Sequence, residues 1–187
     1  MKITRRDTMA GFISAIGLTL AMAEPATAAS AADLISASDA ALGNLYTNQP
    51  KAAILRNRAK AILVFPNIVK AGFIVGAQSG DGVLFEGGLP TNYYNISAAS
   101  YGLQAGVQSF SYALFFMTTA ALSYLESSKG WEVGVGPSVV VLDKGAAASI
   151  TSTTLSQDVY AIPFAQTGLM AGIGIEGSKI TSISVGP

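Results

Sequence analysis

Small and apolar side chains recur at helical spacing through Leu34, Ala37, Ser38, Ala41, Leu42 and Leu45, behind Ser30-Ala-Ala-Asp33, which has the form of a capping box. Asn48-Gln49-Pro50 ends that first helix. A second helical stretch is predicted from Lys51 to about Ile62. At 100° per residue, Ile54, Leu55, Ala59, Ala61 and Ile62 share one side of it, Arg56, Asn57 and Lys60 share the other, and Arg58 falls inside the apolar arc. Arg56 and Lys60 stand at i and i+4, where like charges repel mildly unless an anion lies across both.

After Ile62 the period changes to two and glycine becomes the organising residue. Four segments, Ala71 to Ala77, Tyr101 to Val107, Trp131 to Gly136 and Leu169 to Glu176, each alternate branched or aromatic residues with a nearly bare face. A bare stripe weakens a strand unless the sheet bends sharply there or something approaches the backbone closely. Two explanations stay open: glycines at the corners of a strongly coiled sheet, or a helix lying against the stripe. Further strands are expected at Leu63 to Phe65, Val83 to Glu86, Ser109 to Met117, Ser138 to Asp143 and Val159 to Ala165, with hairpin turns at Ser79-Gly-Asp-Gly82 and Gln166-Thr-Gly168. Thr119 to Ser128 reads as a short helix, and Lys144 to Gln157 shows no clear period. The fold class is α+β: N-terminal helices packed on a strongly curved, largely antiparallel, barrel-like sheet with Gly-rich strands.

The first residues change the picture of where the chain works. Lys2, Arg5 and Arg6 precede an uncharged apolar stretch of 14 residues, Ala10 to Ala23, and Ala26-Thr-Ala28 has the small-x-small form of a cleavage site. That stretch is shorter than the roughly 20 residues of a membrane helix. Residues 1–28 are thus expected to be an export signal, and residues 29–187 a single domain. Arg5-Arg6 after Thr4 has the twin-arginine form, although Thr8 stands where that motif usually has Phe, and ordinary Sec export is the alternative. The expected location is the bacterial periplasm, peripheral to a membrane.

The absence of cysteine rules out a disulfide framework and leaves stability to the core. Charged residues are 12% of the chain against about 25% in ordinary globular domains, while apolar residues reach 50%. The leader takes three basic and two acidic residues from the eleven of each, leaving eight and nine. Nothing in that balance calls for nucleic acid. The charge is unevenly placed, however. Between Asp39 and Asp81 no acidic residue occurs, yet Lys51, Arg56, Arg58, Lys60 and Lys70 all do. The cluster reads either as a solvated face or as an anion-binding patch.

With neither histidine nor cysteine, imidazole bases, thiolate nucleophiles and N- or S-ligated zinc are excluded. Gly172-Ile-Gly174-Ile-Glu-Gly177 satisfies G-x-G-x-x-G, but it lies in an alternating strand with ten residues after it, so no βαβ unit fits. Glu86, Glu132 and Glu176 have no spacing that brings them together, and Asp81 reads as a turn residue without calcium-loop partners. No catalytic residue, metal or cofactor is expected. The apolar run Gly106 to Leu125 is broken by Gln108, Ser109, Ser111, Thr118, Thr119 and Ser123, and reads as an aromatic strand turning into a helix. Tyr93, Tyr94, Tyr101, Phe110, Tyr112, Phe115, Phe116, Tyr124 and Trp131 serve either as core or, for some tyrosines and Trp131, as a lipid interface.

The order of parts from Ala59 to Phe85, AKAILVFPNIVKAGFIVGAQSGDGVLF, resembles the SYLF domain family. The similarity continues through YYNISAASYGLQAGVQSFSYALFFMTTAAL, GWEVGVGPSVVVLD and DVYAIPFAQTGLMAGIGIEGSKI, covering roughly residues 33 to 183, and is to the bacterial exported branch. The resemblance implies a non-enzymatic lipid-binding domain whose lipid-contacting helix lies at its N-terminal end. That maps onto Lys51, Arg56, Arg58, Lys60 and Lys70 as headgroup contacts, with Ile54 and Leu55 as shallow apolar insertions. Anionic membrane lipid is the expected partner; phosphoinositide preference and actin binding are set aside for an exported bacterial protein. An envelope assembly protein with a protein partner and a carrier of an apolar ligand inside the curled sheet are the alternatives.

Overall fold

The computed structural model describes residues 30–151, 155–168 and 177–186. The leader with Arg5 and Arg6, the expected strand Leu169 to Glu176 and most of the G-x-G-x-x-G run lie outside the described residues. Helix α1 is Ala31–Asn48: the Ser30 hydroxyl accepts from the Asp33 N–H and donates to its carboxylate at 2.8 Å, the expected cap. Helix α2 is Ala52–Arg58, shorter than the periodicity predicts. Ala59 is extended, and the Lys60 N–H donates to the Phe116 carbonyl at 2.7 Å. Ala61 and Ile62 therefore open a strand, where Ile-Leu-Val-Phe gains cross-strand partners that one more helical turn would not supply.

Two long strands, β1 (Ala61–Glu86) and β2 (Leu89–Phe116), pair antiparallel along their length, from Ala61 opposite Phe116 to Glu86 opposite Leu89. The expected separate strands at 63–65, 71–77, 83–86, 101–107 and 109–117 are stretches of these two. Their connection is Gly87-Gly88, with φ of 58° and 84°, a two-residue turn that glycine enters without steric cost. Ser79-Gly-Asp-Gly82 is thus not a turn. Asp81 lies mid-strand opposite Asn95, whose amide donates to the Asp81 carboxylate at 2.7 Å.

The glycines do another job. The hairpin folds over so that residues 80–82 cross residues 64–68 of the same strand. A Cβ on Gly80 would lie 2.5 Å from the Asn67 carbonyl oxygen, and one on Gly82 would strike the Val64 carbonyl and lie 2.6 Å from the Phe65 ring. At the corner, a Cβ on Gly72 would strike the Gly76 Cα. Register shifts at Phe65/Ile68 and Gly72/Ile74 bend the sheet there. Pro66, without an N–H, sits in the first bulge, where its carbonyl accepts from the Ser111 hydroxyl at 2.7 Å.

After β2 come α3 (Thr119–Ser127), β3 (Trp131–Glu132), β4 (Val139–Val141), α4 (Lys144–Ala148), β5 (Val159–Gly168) and β6 (Lys179–Ile183). Among the described residues, six strands run β3-β6-β2-β5-β4, with β1 also on β2. Only β4 and β5 pair in parallel, so the α+β fold with a curled, largely antiparallel sheet is as expected. Some local expectations are corrected. The strand at Trp131 stops at Glu132 because the chain turns through Gly134 and Gly136, both at positive φ. Gln166-Thr-Gly168 finishes β5 instead of turning, β4 is shorter than Ser138 to Asp143, and α4 occupies part of the stretch without a period. Strand β6 was not anticipated.

Alternation along β2 sends Phe110, Tyr112, Leu114 and Phe116 into the curled sheet, where they meet Leu63, Phe65, Leu84, Ile96 and Trp131. Ala113 and Phe115 point outward beneath Leu45, Ala52 and Leu55 of the helices, and Leu34 covers Val64, Val83 and Phe85. The helices thus lie on the outer face, while the Gly80 and Gly82 side of β1 turns inward. Leu122 and Leu125 of α3 join the inner core. Both faces of β2 are buried here, which explains its unbroken apolar run.

Two predictions follow from these contacts. Gly82→Ala costs about 1–3 kcal/mol in denaturant unfolding, because its methyl meets backbone. Gly43→Ala on α1, with nothing within 4 Å, instead stabilises by about 0.5–1 kcal/mol. The second concerns pH. The Asp158 carboxylate accepts from the Ser138 N–H at 3.1 Å, the Ser138 hydroxyl at 2.9 Å and the Thr118 hydroxyl at 3.2 Å, which holds its pKa below the ordinary carboxylate range. A depressed folded pKa gives stability that is present above the unfolded pKa and lost as pH falls through the folded one. Asp158→Ala therefore lowers the Tm near neutral pH by an amount worth about 1 kcal/mol or less after solvent screening, and the difference from wild type vanishes in strong acid.

Candidate functional site

Pro50 stops α1, and α2 is pinned to the sheet by Ala52 and Leu55, both fully buried. With that side fixed, the helical period turns Arg56 and Arg58 outward, and Lys60 follows them into solvent on the extended link to β1. Three exposed cations thus fall within five residues at a helix-to-strand junction. Arg56 and Arg58 occupy the last turn of α2, where the carbonyl end of the helix favours positive charge. The Arg56 guanidinium also sits 5.5 Å from the centroid of the Tyr46 ring.

The helix ends before Lys60, so Arg56 and Lys60 do not share a helical face. They line the same groove instead, an open cavity of about 520 Å³ between α1, the junction and the Gly87-Gly88 turn. Lys60 also lines a second cleft of about 400 Å³ with Arg58, Met117, Thr118 and Leu155. Asp39 of α1 is on the wall of the first groove, so the acid-free interval in the sequence is not wholly acid-free in space. Burial pushes the Tyr46 hydroxyl up to about 12 against the opposing pull of Arg56, and that hydroxyl has no hydrogen-bond partner.

Lys51 and Lys70 are placed elsewhere. Lys51 is exposed at the α1–α2 corner, on an apolar-walled cleft of about 350 Å³ that it shares with Lys144. Lys144 was not anticipated: α4 brings it there from a stretch with no periodic signal. Lys70 is half-buried on β1 opposite Gln108. Ten extended residues from Lys60 carry it roughly 30 Å along the strand, so it is not part of the junction.

The apolar half of the expected lipid contact is corrected outright. Leu55 is fully buried and Ile54 packs against the same outer core, because α2 spends its apolar side on the sheet. Trp131 is also core: it is 1% exposed, lies 5.9 Å from the Phe116 ring and donates to the Val135 carbonyl at 3.0 Å. Tyr94, Tyr112 and Tyr160 are buried as well, and only Tyr124 among the described tyrosines with resolved burial is well exposed. Gly80 and Gly82 leave no room for a ligand, since crossing backbone fills the space beside them.

No three of Asp and Glu come together as a metal site among the described residues, and no described helix is long and apolar enough to cross a membrane. Glu132 pairs across strands with Lys179, while Glu176 lies outside the described residues. The arrangement offers cations and hydrogen-bond donors at the rim of open clefts, which suits anion binding.

No curated protein matches the chain significantly. Residues 97–184 match the family model Ysc84, described as Las17-binding protein actin regulator. The match begins within β2 and runs past β6, leaving out α1, α2, all of β1 and the start of β2, but it includes Met117, Thr118 and Leu155, which wall the second cleft. Over residues 97–184 the chain is thus similar to the SYLF family, whose domains are non-enzymatic, lipid-binding and actin-regulating.

Proposed function

We propose that this protein is a non-enzymatic, exported protein that associates peripherally with anionic membrane lipid, using the cations at the α2–β1 junction. The observation that carries the reading is the exposure of Arg56, Arg58 and Lys60 around two adjoining clefts. Headgroup phosphate oxygens would accept from the two guanidinium groups and the ammonium, each contact worth on the order of 1 kcal/mol at an anionic surface. Lys51 and Lys144 add charge at the neighbouring corner. Because Leu55 is committed to the core, the junction acts through charge alone, and the association is weak, reversible and screened by salt. The family's lipid-binding character supports the choice of ligand. The leader with Arg5 and Arg6 supports a periplasmic location.

A second reading, docking of a protein partner, draws on the family description, which names protein binding. Actin is not carried over to a protein read as exported from a bacterium. Lipid and protein partners separate in one assay. The chain co-sediments with vesicles containing phosphatidylglycerol, less so as salt rises, and little with phosphatidylcholine alone. Arg56→Glu with Lys60→Glu lowers the anionic binding about tenfold or more. Binding indifferent to lipid charge and to the double change would sink the reading, and salt-insensitive recovery of one protein partner would favour the second. Tyr46→Phe keeps the ring under Arg56 and removes only a buried, unpartnered hydroxyl, so it leaves vesicle binding unchanged and does not lower the Tm.

A further inference from the structure

Where the hairpin bends, aliphatic side chains stand in the open: Val69 is 42% exposed, Ile74 52%, Val75 55% and Val107 65%. Register puts them in one stretch of the hairpin. Val69 faces Ser109, Ala71 faces Val107, and Ile74 and Val75 follow just beyond the Gly72/Ile74 bulge. Val107 alternates in phase with Ala113 and Phe115, so it continues the outward face that the helices cover further along β2. Past the Pro66 bulge that cover stops, and the apolar face runs on bare. Exposed apolar patches mark sites of association with a protein or a membrane.

The backbone at the apex adds an independent observation. Ile74 has φ of 68°, a left-handed conformation that disfavours a β-branched side chain and suits glycine. Folding alone would be served better by glycine there, so an exposed isoleucine points to a use outside the fold. Charge narrows the partner. From Val69 to Gly80 and from Ser97 to Phe116 the sequence has no acidic residue, and its one charged side chain is the cation Lys70. A stable pairing with a second copy needs about 800 Å² from each partner in a complementary shape, more than four partly exposed aliphatic side chains supply. A fluid lipid layer conforms to such an apex and has no carboxylate to reject there.

We infer that the bend of the β1–β2 hairpin, with Ile74 and Val75 at its apex and Val69 and Val107 beside it, inserts into the interfacial layer of a lipid bilayer. This rests on the lipid reading above but assigns the apolar contact to the bend in the middle of β1, away from the cationic junction at its start. The chain then touches a membrane at two places, by charge at the junction and by aliphatic insertion at the bend.

A tryptophan placed at Val75 reports on the bend, since the native Trp131 is buried and supplies a constant background. With vesicles of brominated phosphatidylcholine and phosphatidylglycerol, Val75→Trp in the full chain shifts to shorter wavelength and is quenched at least about twofold more than Asn57→Trp at the junction. A protein that pellets with vesicles while Val75→Trp stays unquenched overturns the insertion and leaves lipid association standing. Failure to pellet with either lipid composition overturns both. A blue shift without lipid, accompanied by a dimer mass in light scattering, assigns the bend to self-association and overturns the insertion too. Ile74→Gly relieves the backbone and removes the side chain: its Tm does not fall, but its vesicle binding drops severalfold, and undiminished binding of a folded Ile74→Gly chain also refutes the proposal.

Discussion

The close crossing of β1 over itself, at Gly80 and Gly82 against Val64 to Ile68, is the contact on which the remaining architecture depends. With no Cβ between them, the two halves of one hairpin close into a curled sheet whose inner face is filled by Phe65, Tyr112, Leu84 and Trp131. Closing the inside leaves the outer face of the same strands with Val64, Val83, Ala113 and Phe115 to cover. The helices meet that need, and α2 does so with Ala52 and Leu55. Once those two are buried, the period of the helix leaves Arg56 and Arg58 no place but solvent. The cationic junction is in this sense a by-product of how the sheet is closed.

What the sequence showed, it showed through local rules that tertiary structure did not contest. Ser30 and Pro50 bound α1 as capping and proline chemistry require, and Thr118 to Ser128 bounds α3. The helices-then-sheet order and the curled sheet were legible from the change of period at Ile62 and from the glycine stripes. The errors came where one local signal outweighed a distant requirement. Ser79-Gly-Asp-Gly82 has every mark of a turn, but its glycines are needed where backbone crosses backbone, and Gly87-Gly88 makes the turn. Ile62 completes an apolar arc on a helical wheel, yet opposite Phe115 it gains more as strand.

The candidate site was legible in part for the same reason. That Arg56 and Lys60 lie near each other was readable from their spacing, but the groove that both line is built by Tyr46 and the distant Gly87-Gly88 turn. Lys70, near Lys60 in sequence, is carried off by an extended strand, and Asp39, set apart by sequence, returns to the groove wall. Proximity along a strand is a poor guide because each residue adds about 3.3 Å, whereas each helical residue adds about 1.5 Å. Lys144 had no signal at all, since five helical residues make too short a period to read.

The two-glycine turn also bears on the order of assembly. Loop-closure entropy favours pairing first across Gly87-Gly88, so the ladder extends by zipping outward from Glu86 and Leu89. The halves cannot cross until zipping has passed the Gly72/Ile74 corner, and Ala61 meets Phe116 only at the last rung. That rung adjoins the junction that presents Lys60. A nascent or partly unfolded chain would thus hold its bend before its cationic end, and an anion bound at the junction would act as a late latch on the completed hairpin.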